Sequence, residues 1–537
     1  MQRYNTQFGK NGMVCSAHPF ATLTGLKVLA AGGNAVDAAI AVAGTTGVVI
    51  PPMCGLGGDA FALVWNQNQR RIWGFGGSGV VPEKATLGYY RSLGHSMMPG
   101  DGILSVAVPG AVDVYFTMHK QFGTLPISYL WEDAVKYAGA GFPVTNELRH
   151  QIDASSDKIR KYPETAEIWM PGGRIPDTGE SLVNRDLAAS FEKVARDGPR
   201  VLYQGEIAER LVEYSQKNGG LFEGPEIASQ ATDVYDPLRT AYRSYEIFET
   251  APPSQGLILL EEMNILEGFD LRSLGPDSPE TIHLLVEAKR IAFADRNLYM
   301  GDPRSVKAPT DTLISKKYAT RRRLNIDSAH TLGDIPEDSP YSVGDTTSFV
   351  VVDRWGNAVS FIHSLSNAFG SGVTIPDTGI LLNNRAGRGF ILKEGHPNCI
   401  AGGKKTMHTL NTFMVFRDGE PYLIANTPGG DGQPQHNMQM AVNVLDFGMD
   451  PQQAAEAPRW THSPGTDPVS LGSPMTLAME ARFPEPTVEG LRARGHNVKT
   501  VGPWSAGGTF QLILVDRSRG IYLGGTDPRG EGLALGY

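Results

Sequence analysis

Two adjacent threonines, Thr346 and Thr347, stand where a polar segment gives way to an apolar one. Residues 334–345 are rich in Pro, Asp, Ser and Gly, which predicts an exposed loop, and residues 348–352 predict a strand. Cleavage before Thr346 would place an α-amine beside its hydroxyl. Such an amine has a pKa of roughly 7.7–8.0, so near neutral pH it can accept the hydroxyl proton. The pair therefore suggests a nucleophile with its own base, although threonines are also ordinary strand residues.

Length and composition describe an ordinary globular chain. The 537 residues are 41% hydrophobic and 20% charged, which is enough to bury a large core in a few domains or in one large unit. The net charge of −9 argues against nucleic acid as a partner, because phosphate binding needs basic surface. The basic stretch at 316–323 is interpreted as the solvated face of a helix.

Several classes of site are not indicated. Cys15, Cys54 and Cys399 have neither the spacing of a zinc site nor the even number of a disulfide framework, so we expect no metal and no cofactor. The first ten residues lack the apolar region of a signal peptide, and the most apolar long stretch, 28–53, contains polar residues and glycines. We therefore expect a cytoplasmic protein with no membrane segment.

Secondary structure follows from two periodicities. Four strand-turn-strand patterns, at 61–75, 348–362, 412–425 and 510–523, predict antiparallel hairpins. Helical periodicity dominates 105–335, with examples at 130–138, 207–216 and 282–294, and later at 437–446, 451–457 and 488–494. A helix over 19–31 is followed by another capped by Asn34. Separate groups of hairpins and helices favour stacked sheets covered by helices.

A series of short motifs runs in order along nearly the whole chain: Gly12-Met13-Val14, Gly32 to Ala39, Leu56-Gly57-Gly58, Thr346-Thr347, Gly379 to Asn384, Pro428-Gly429-Gly430 and Asp527-Pro528-Arg529. Each is unspecific alone, but their order and spacing resemble the gamma-glutamyltransferase (glutathione hydrolase) family of N-terminal-nucleophile hydrolases. The resemblance implies an α+β fold, a four-layer αββα sandwich.

The resemblance also implies a proenzyme that cleaves itself before Thr346. Residues 1–345 would form a large subunit and residues 346–537 a small one, which together make one αββα unit, a heterodimer that can oligomerise further. Thr346 would be the nucleophile and form an acyl-enzyme with a small amide substrate. Gly429 and Gly430 match the family's oxyanion hole, and Ser364 lies where the family places a hydroxyl that bonds the nucleophile. A plain Pro-Gly turn and an ordinary strand-end serine remain the alternatives.

The family binds the α-carboxylate of the glutamyl group with an arginine and its α-amine with an acid, and other residue types stand at both positions here. Ser78 aligns with the family's arginine, and Arg388 stands about where the family has an acid, so it would repel an ammonium group. Arg385 and Arg388 are candidates to bind a carboxylate of the acyl group, or else ordinary salt-bridge residues on a loop. His408 is a weaker candidate, because a lone histidine is more often structural. The candidate substrate contacts are Ser78, Asn384, Arg385, Arg388, Thr409 and Asn411.

These observations leave three hypotheses. The first is a self-processed threonine amidase close to the family's acylase and amidohydrolase members, such as cephalosporin (glutaryl) acylases and oxamate amidohydrolases. The second is a gamma-glutamyltransferase or glutathione hydrolase with a modified pocket. The third is an uncleaved binding or structural protein that has lost catalysis.

Overall fold

The computed structural model describes residues 3–332, 345–463 and 475–537, with the backbone alone at Asp345. The predicted loop at 334–345 therefore lies outside the described residues except for that backbone. The strands are β1 (Gln7–Gly9), β2 (Gly12–Ser16), β3 (Asp59–Asn66), β4 (Arg71–Gly77), β5 (Phe142–Pro143), β6 (Ser181–Leu182), β7 (Asp233–Tyr235), β8 (Leu238–Tyr242), β9 (Tyr245–Glu249), β10 (Asp345–Asp353), β11 (Ala358–Ser366), β12 (Phe413–Arg417), β13 (Glu420–Asn426), β14 (Trp460–Ser463), β15 (Thr476–Glu480), β16 (Val498–Val501), β17 (Gln511–Asp516), β18 (Ile521–Thr526) and β19 (Leu533–Gly536).

The helices are α1 (Pro19–Ala30), α2 (Ala35–Val49), α3 (Leu87–Ser92), α4 (Ala111–Phe122), α5 (Ile127–Leu130), α6 (Glu132–Ala140), α7 (Asn146–Ala154), α8 (Ser156–Ile159), α9 (Pro163–Trp169), α10 (Arg185–Asp197), α11 (Arg200–Tyr203), α12 (Glu206–Lys217), α13 (Pro225–Ala228), α14 (Leu257–Leu266), α15 (Leu271–Leu274), α16 (Pro279–Tyr299), α17 (Thr310–Leu313), α18 (Lys316–Arg323), α19 (Arg385–Gly389), α20 (Gln433–Leu445), α21 (Pro451–Glu456) and α22 (Glu485–Ala493). No helix among the described residues combines the length and apolarity needed to cross a bilayer.

Two large antiparallel sheets organise the molecule. The first sheet has the order β1-β18-β17-β13-β12-β9-β8 and the second has the order β19-β2-β10-β11-β3-β4-β7, with seven strands in each. The four predicted hairpins are confirmed as β3–β4, β10–β11, β12–β13 and β17–β18. The chain is thus a mixed α+β protein.

Strand β10 shows how the layers share the core. Its side chains alternate between the two faces of the second sheet. Phe349 and Val351 belong to an apolar cluster shared with α1 and α2, whereas Val350 and Val352 belong to another shared with strands of the first sheet, such as β12 and β17. The other face of the first sheet packs against α14, α16 and α20. Both faces of β10 are therefore buried, which fixes the register of the strand that begins at the predicted nucleophile.

The helix boundaries follow the predicted caps. Asn34 caps α2 as predicted, and its side chain and that of Asp37 form a reciprocal capping box. The predicted helix over 130–138 is instead two helices, because the chain turns at Trp131 between α5 and α6. The region 105–335 is helical for the most part, but it also contributes β5 to β9. The basic helix α18 is more than a solvated face, because Arg323 donates to backbone carbonyls of α14.

An unusual pair of acids lies on α14. Glu261 and Glu262 are fully buried, and their carboxylates have no hydrogen-bond partner among the described residues. Burial raises the pKa of Glu262 to about 8, although the positive charges of Lys289 and Arg296 act in the opposite direction. Glu262 is therefore mostly protonated in the folded protein at neutral pH.

This burial predicts a stability that falls with pH. Because the folded-state pKa of Glu262 is raised, its stabilisation is complete below the unfolded pKa and is lost as the pH rises through about 8. We expect the melting temperature to drop by a few degrees between pH 6 and pH 9, and the Glu262→Gln variant to show a smaller drop. Thermal melts at both pH values check this, with the exposed Glu209→Gln as the control; equal slopes for all three proteins would contradict it.

Candidate active site

Thr346 lies at an irregularity at the start of β10. Asp345 pairs with Ser366 and Thr347 pairs with His363, so the register shifts across Thr346 and forms a bulge. Bulges re-aim a side chain and disrupt the local ladder. The Thr346 side chain is 5% exposed, and its Oγ1 donates to Ser364 Oγ at 3.2 Å. The predicted partnership of these two hydroxyls is thus present before any cleavage.

Ser364 is itself held in place. Its Oγ accepts a hydrogen bond from the backbone N–H of Ser366 at 2.8 Å, within the same strand β11. Among the described residues, Ser364 is the only side chain that hydrogen-bonds Thr346 Oγ1, so no histidine or carboxylate there is bonded to that hydroxyl. The base has to come from elsewhere, and the α-amine that cleavage would release at Thr346 fits that requirement.

The histidine on the neighbouring strand, His363, is not a candidate base. His363 is paired across from Thr347, and both its ring nitrogens are engaged, by Tyr115 at 2.9 Å and by Thr46 at 3.0 Å. Burial lowers the pKa of His363 to about 3, so it stays neutral. It supports the strand behind the nucleophile.

Removal of the Ser364 hydroxyl should slow the nucleophile. We expect Ser364→Ala to lower the rate of self-cleavage and the kcat of the cleaved enzyme by about 10-fold, the value of one hydrogen bond of about 0.5–1.5 kcal/mol. Time courses on denaturing gels and steady-state kinetics measure the two rates. Ser371→Ala, which removes a buried hydroxyl bonded to the Leu382 carbonyl, is the control; unchanged rates in Ser364→Ala would refute the role.

The predicted oxyanion turn has backbone angles that favour glycine. Gly429 has φ 129° and Gly430 has φ 52°, a region where other residues are strained. The backbone N–H groups of both glycines have no partner within the described part of the chain. Two hydrogen bonds fix their direction. The Pro428 carbonyl accepts from Thr427 Oγ1 at 2.9 Å and the Gly429 carbonyl from the Gly432 N–H at 2.8 Å. In a trans peptide the N–H points opposite to the C=O, so the Gly430 N–H faces away from the turn, because the carbonyl of the same peptide is bonded inside it.

The two predicted arginines lie on the short helix α19 rather than on a loop. Arg385 is buried, and its Nε donates to Asp59 Oδ2 at 3.0 Å while its Nη1 donates to Thr409 Oγ1 at 3.2 Å. Burial lowers the pKa of Arg385 to about 10, so it keeps its charge at neutral pH. Arg385 thus forms a buried salt bridge, and its Nη2 has no hydrogen-bond partner among the described residues.

Asp59 and His408 complete this buried group. His408 Nε2 lies 3.0 Å from Asp59 Oδ2, and burial, with the nearby Arg385 charge, lowers the pKa of His408 to about 4. The neutral ring therefore donates its Nε2–H to the carboxylate. Sequence reasoning missed Asp59, which ends the glycine-rich stretch from Cys54; only its place directly after Gly57-Gly58 marks it.

Arg388 is connected to the nucleophile by a short chain of bonds. Its Nη1 donates to the Ser366 carbonyl at 3.1 Å, and the Ser366 N–H donates to Ser364 Oγ. Ser364 in turn accepts from Thr346. The structure thus links Arg388 to Ser364 and Thr346 through the backbone of Ser366.

The remaining predicted contacts are engaged differently. Asn384 Nδ2 donates to the Gly100 carbonyl at 2.8 Å, and its Oδ1 accepts from the Asn367 N–H. Asn411 Nδ2 donates to Gln433, and its Oδ1 accepts from Asn437 Nδ2 at 2.8 Å. Both amides are thus hydrogen-bonded within the protein. Ser78 follows β4, and its buried Oγ has no hydrogen-bond partner among the described residues.

A cavity of about 110 Å³ opens beside the nucleophile. Thr346 and Thr347 line it together with apolar side chains such as Ile50 and Met53 and the acids Glu147 and Glu531. No described cation pairs with either acid.

One other cluster has the composition of a metal site. His283, Glu287 and His496 place their ligand atoms within 4.8 Å of one another. Their contacts, however, are satisfied within the protein: the two rings hydrogen-bond each other at 2.8 Å, and Glu287 is ion-paired with Arg290 at 3.0 Å. The buried guanidinium beside the carboxylate opposes a second cation, so the group is explained as a structural network.

Comparison with known proteins agrees with this geometry. The family model described as Gamma-glutamyltranspeptidase matches residues 21–537. The chain belongs to this family. The recognition made from the ordered motifs is confirmed, and the chain is an enzyme of the gamma-glutamyltranspeptidase hydrolase and transpeptidase type.

Three relatives of the family are informative. The chain is 37% identical to the Glutathione hydrolase-like YwrD proenzyme of Bacillus subtilis (strain 168), over 98% of this chain and 99% of that protein. It is 35% identical to the Acylase ACY 1 proenzyme of Pseudomonas sp. (strain SE83), over 93% and 89%. The crystal structure of cephalosporin acylase from Bacillus halodurans matches with 33% identity and a TM-score of 0.93, over 100% of this chain and 98% of that one. The relatives named proenzymes and acylases thus span the whole molecule.

Proposed function

We propose that this protein is a self-processing threonine amidase that hydrolyses a small acyl amide whose acyl group carries a carboxylate. The observation that carries the proposal is the chain of contacts from Arg388 through Ser366 and Ser364 to Thr346. It ties a guanidinium to the attacking hydroxyl. The family membership and the acylase relatives support the reaction class.

Processing requires only groups at the Thr346 bulge and water. Thr346 Oγ attacks the Asp345 carbonyl carbon, the C–N bond breaks, and the acyl group passes to oxygen as an ester while the nitrogen becomes an amine. Water then hydrolyses the ester, which releases the Asp345 carboxylate and restores the hydroxyl. The product is a large subunit of residues 1–345 and a small subunit of residues 346–537 with a free α-amine.

Catalysis uses the same hydroxyl. The α-amine takes the Thr346 proton as Oγ attacks the substrate carbonyl, and the oxyanion binds the N–H groups of Gly429 and Gly430. The protonated amine then gives its proton to the leaving nitrogen, and the C–N bond breaks. A water molecule hydrolyses the acyl-enzyme by the same two steps, with the α-amine again as base.

Charge decides the proposed acyl specificity. Arg385 and Arg388 both lie on α19, and Arg385 is paired with Asp59. An acyl group with a carboxylate and no ammonium fits two guanidinium groups, since charge-assisted bonds to carboxylates are about twice as strong as neutral ones.

One observation favours the alternative, a gamma-glutamyl substrate. Asp59 Oδ1 is buried and has no partner among the described residues, and Asp59 lies beside Arg385, so it offers an acceptor for an α-ammonium. The YwrD relative is also named glutathione hydrolase-like. The two candidates differ only in that ammonium group, so a matched substrate series separates them.

The test uses three 4-nitroanilides with the same leaving group: glutaryl, pentanoyl and gamma-glutamyl. The first has a carboxylate, the second has a methyl in its place, and the third adds an α-amine to the first. We expect glutaryl to give the highest kcat/KM, by roughly 10–100-fold over pentanoyl, the value of a charged hydrogen bond. A preference for gamma-glutamyl would establish the alternative, and equal rates would exclude a carboxylate site.

The proposed role of Arg388 leads to a separate prediction. We expect Arg388→Gln to reduce kcat/KM for the glutaryl anilide by roughly 10–100-fold and to leave the pentanoyl anilide nearly unchanged, because the charge is removed while the amide keeps an N–H donor for the Ser366 carbonyl. Arg70→Gln, at an exposed arginine paired with Glu420, is the control. An equal loss on both substrates would show that Arg388 acts on the fold or on the nucleophile rather than on the carboxylate.

The quaternary and layer arrangement belongs to the same proposal. The contacts of the two sheets with each other and of helices with their outer faces support a four-layer αββα sandwich. The two subunits would remain a heterodimer within that single unit.

A further inference from the structure

We infer that Gln255 and Arg296 are positioning residues for the oxyanion turn and that they couple it to the acyl pocket. The inference rests on the proposed function, because it assigns a role in a reaction at Thr346. Neither residue lies in the motifs that identify the family from sequence.

Gln255 joins two segments of the site through one amide group. It lies just before α14 and is fully buried. Its Nε2 donates to the Thr409 carbonyl at 2.6 Å and to the Gly430 carbonyl at 3.0 Å. Both N–H bonds of a single side-chain amide are thus used, one on the acyl-pocket segment and one on the oxyanion turn.

Arg296 fixes the orientation of that amide. From α16 it donates through Nη1 to Gln255 Oε1 and through Nη2 to Asp431 Oδ1 at 2.8 Å. All three side chains are buried. Because a guanidinium only donates, it can bond the oxygen of the amide and not its nitrogen, so the Gln255 Nε2 is directed at the carbonyls.

The contacts surround the oxyanion donors. Asp431 directly follows Gly430, so Arg296 holds the side chain after the donor pair while Gln255 holds the carbonyl of the pair itself. A turn of three glycines at 429, 430 and 432 has little stiffness of its own, since glycine permits many backbone angles. External restraints are what keep such N–H groups aimed at one point, and a shift of about 1 Å costs on the order of 10²-fold in rate.

The network continues to the predicted carboxylate site. The backbone of Gln255 donates to the His408 carbonyl at 2.9 Å. The next residue, Thr409, receives the Arg385 bond at its hydroxyl. Arg385 pairs with Asp59 and so with His408. Acyl recognition and oxyanion stabilisation therefore share one buried hydrogen-bonded frame, with Gln255 at the junction.

The test replaces the amide by a chain of similar size without donors, Gln255→Met. Binding of 4-boronobutanoic acid is measured beside turnover of the glutaryl anilide, because the boronate forms a tetrahedral adduct with Thr346 Oγ that requires the oxyanion donors. We expect kcat and boronate affinity to fall by roughly 10–100-fold, while inhibition by glutarate, a ground-state ligand, changes less than 3-fold. Arg296→Lys should also lower kcat and boronate affinity more than glutarate inhibition, but by less than Gln255→Met does. Lysine keeps the charge but lacks the planar guanidinium that bonds two partners at once.

Controls separate this role from a merely structural one. Gln452→Met removes another buried amide, bonded to the Thr526 carbonyl, and should leave both readouts unchanged. Equal losses of boronate and glutarate binding in Gln255→Met, or no loss in either, would overturn the inference. A cleaved wild-type protein that fails to bind the boronate would instead contradict the proposed function and, with it, the role of Gln255.

Discussion

Thr346→Ala is expected to remain a single uncut chain with no amidase activity. The substitution removes the hydroxyl proposed to attack the Asp345 carbonyl and then the substrate, and it leaves Ser364 Oγ without the hydrogen bond from Thr346. Loss of a catalytic nucleophile costs on the order of 10⁶-fold in kcat. Denaturing gels and the glutaryl anilide assay measure the two effects, and the small fragment of the wild type should begin Thr-Thr-Ser-Phe.

The matched control is Thr346→Ser, which keeps a hydroxyl at the bulge and should still be cut, at a lower rate. A wild-type protein that stays whole yet hydrolyses amides would contradict the mechanism, as would a small fragment that begins at another residue. A whole wild-type chain with no activity on any amide would revive the hypothesis of a binding protein that has lost catalysis.

Gly429→Ala is expected to lower kcat by on the order of 10²–10³-fold, the usual cost of losing one oxyanion donor. A Cβ there would meet no closer atom than His436 Nδ1 at 3.5 Å, so space is not the obstacle. The φ of 129° is the obstacle, because an L side chain rarely adopts it and the turn would relax elsewhere. Steady-state kinetics with the glutaryl anilide give kcat, and thermal melts report the stability.

Gly419→Ala provides the same kind of backbone strain away from the site. Gly419 lies in the β12–β13 turn with φ 74° and open space around it. We expect a similar loss of stability, about 1–2 kcal/mol, with unchanged kcat. If both variants lose stability and neither loses activity, the glycine turn is not the oxyanion hole.

The sequence predicted the hairpins and most helices because their signals are local. The β10–β11 hairpin has an apolar run on either side of a charged turn, and Asn34 marks the start of α2 because it is the N-cap residue of that helix. The β8–β9 hairpin was missed, because its strands are short and only partly buried. The break at Trp131 was also missed, since apolar periodicity alone does not show where a helix restarts.

The residues of the candidate site also divide into those with a local sequence signal and those without one. Thr346 and the glycine pair could be found because their chemistry is carried by adjacent residues. The partners that orient them could not, because Asp59 and Arg385 are 326 residues apart and Arg296 and Asp431 are 135 apart. Such pairs are joined only by the way the two sheets and α16 come together. That Arg385 is tied to an acid rather than free was beyond any reading of its neighbours on α19.

The order of strands has a consequence for making this enzyme in the laboratory. In the second sheet, β19 and β10 from beyond the cut enclose β2 from before it, and β18 borders β1 in the first. Two subunits whose strands alternate in this way cannot separate unless strand pairing is broken in both sheets. Separately expressed halves should therefore fail to reassemble into active protein, and cleaved material denatured in guanidinium should refold poorly while the uncut Thr346→Ala chain refolds well. On the proposed cleavage, the covalent link would be needed during folding and dispensable once folding is complete.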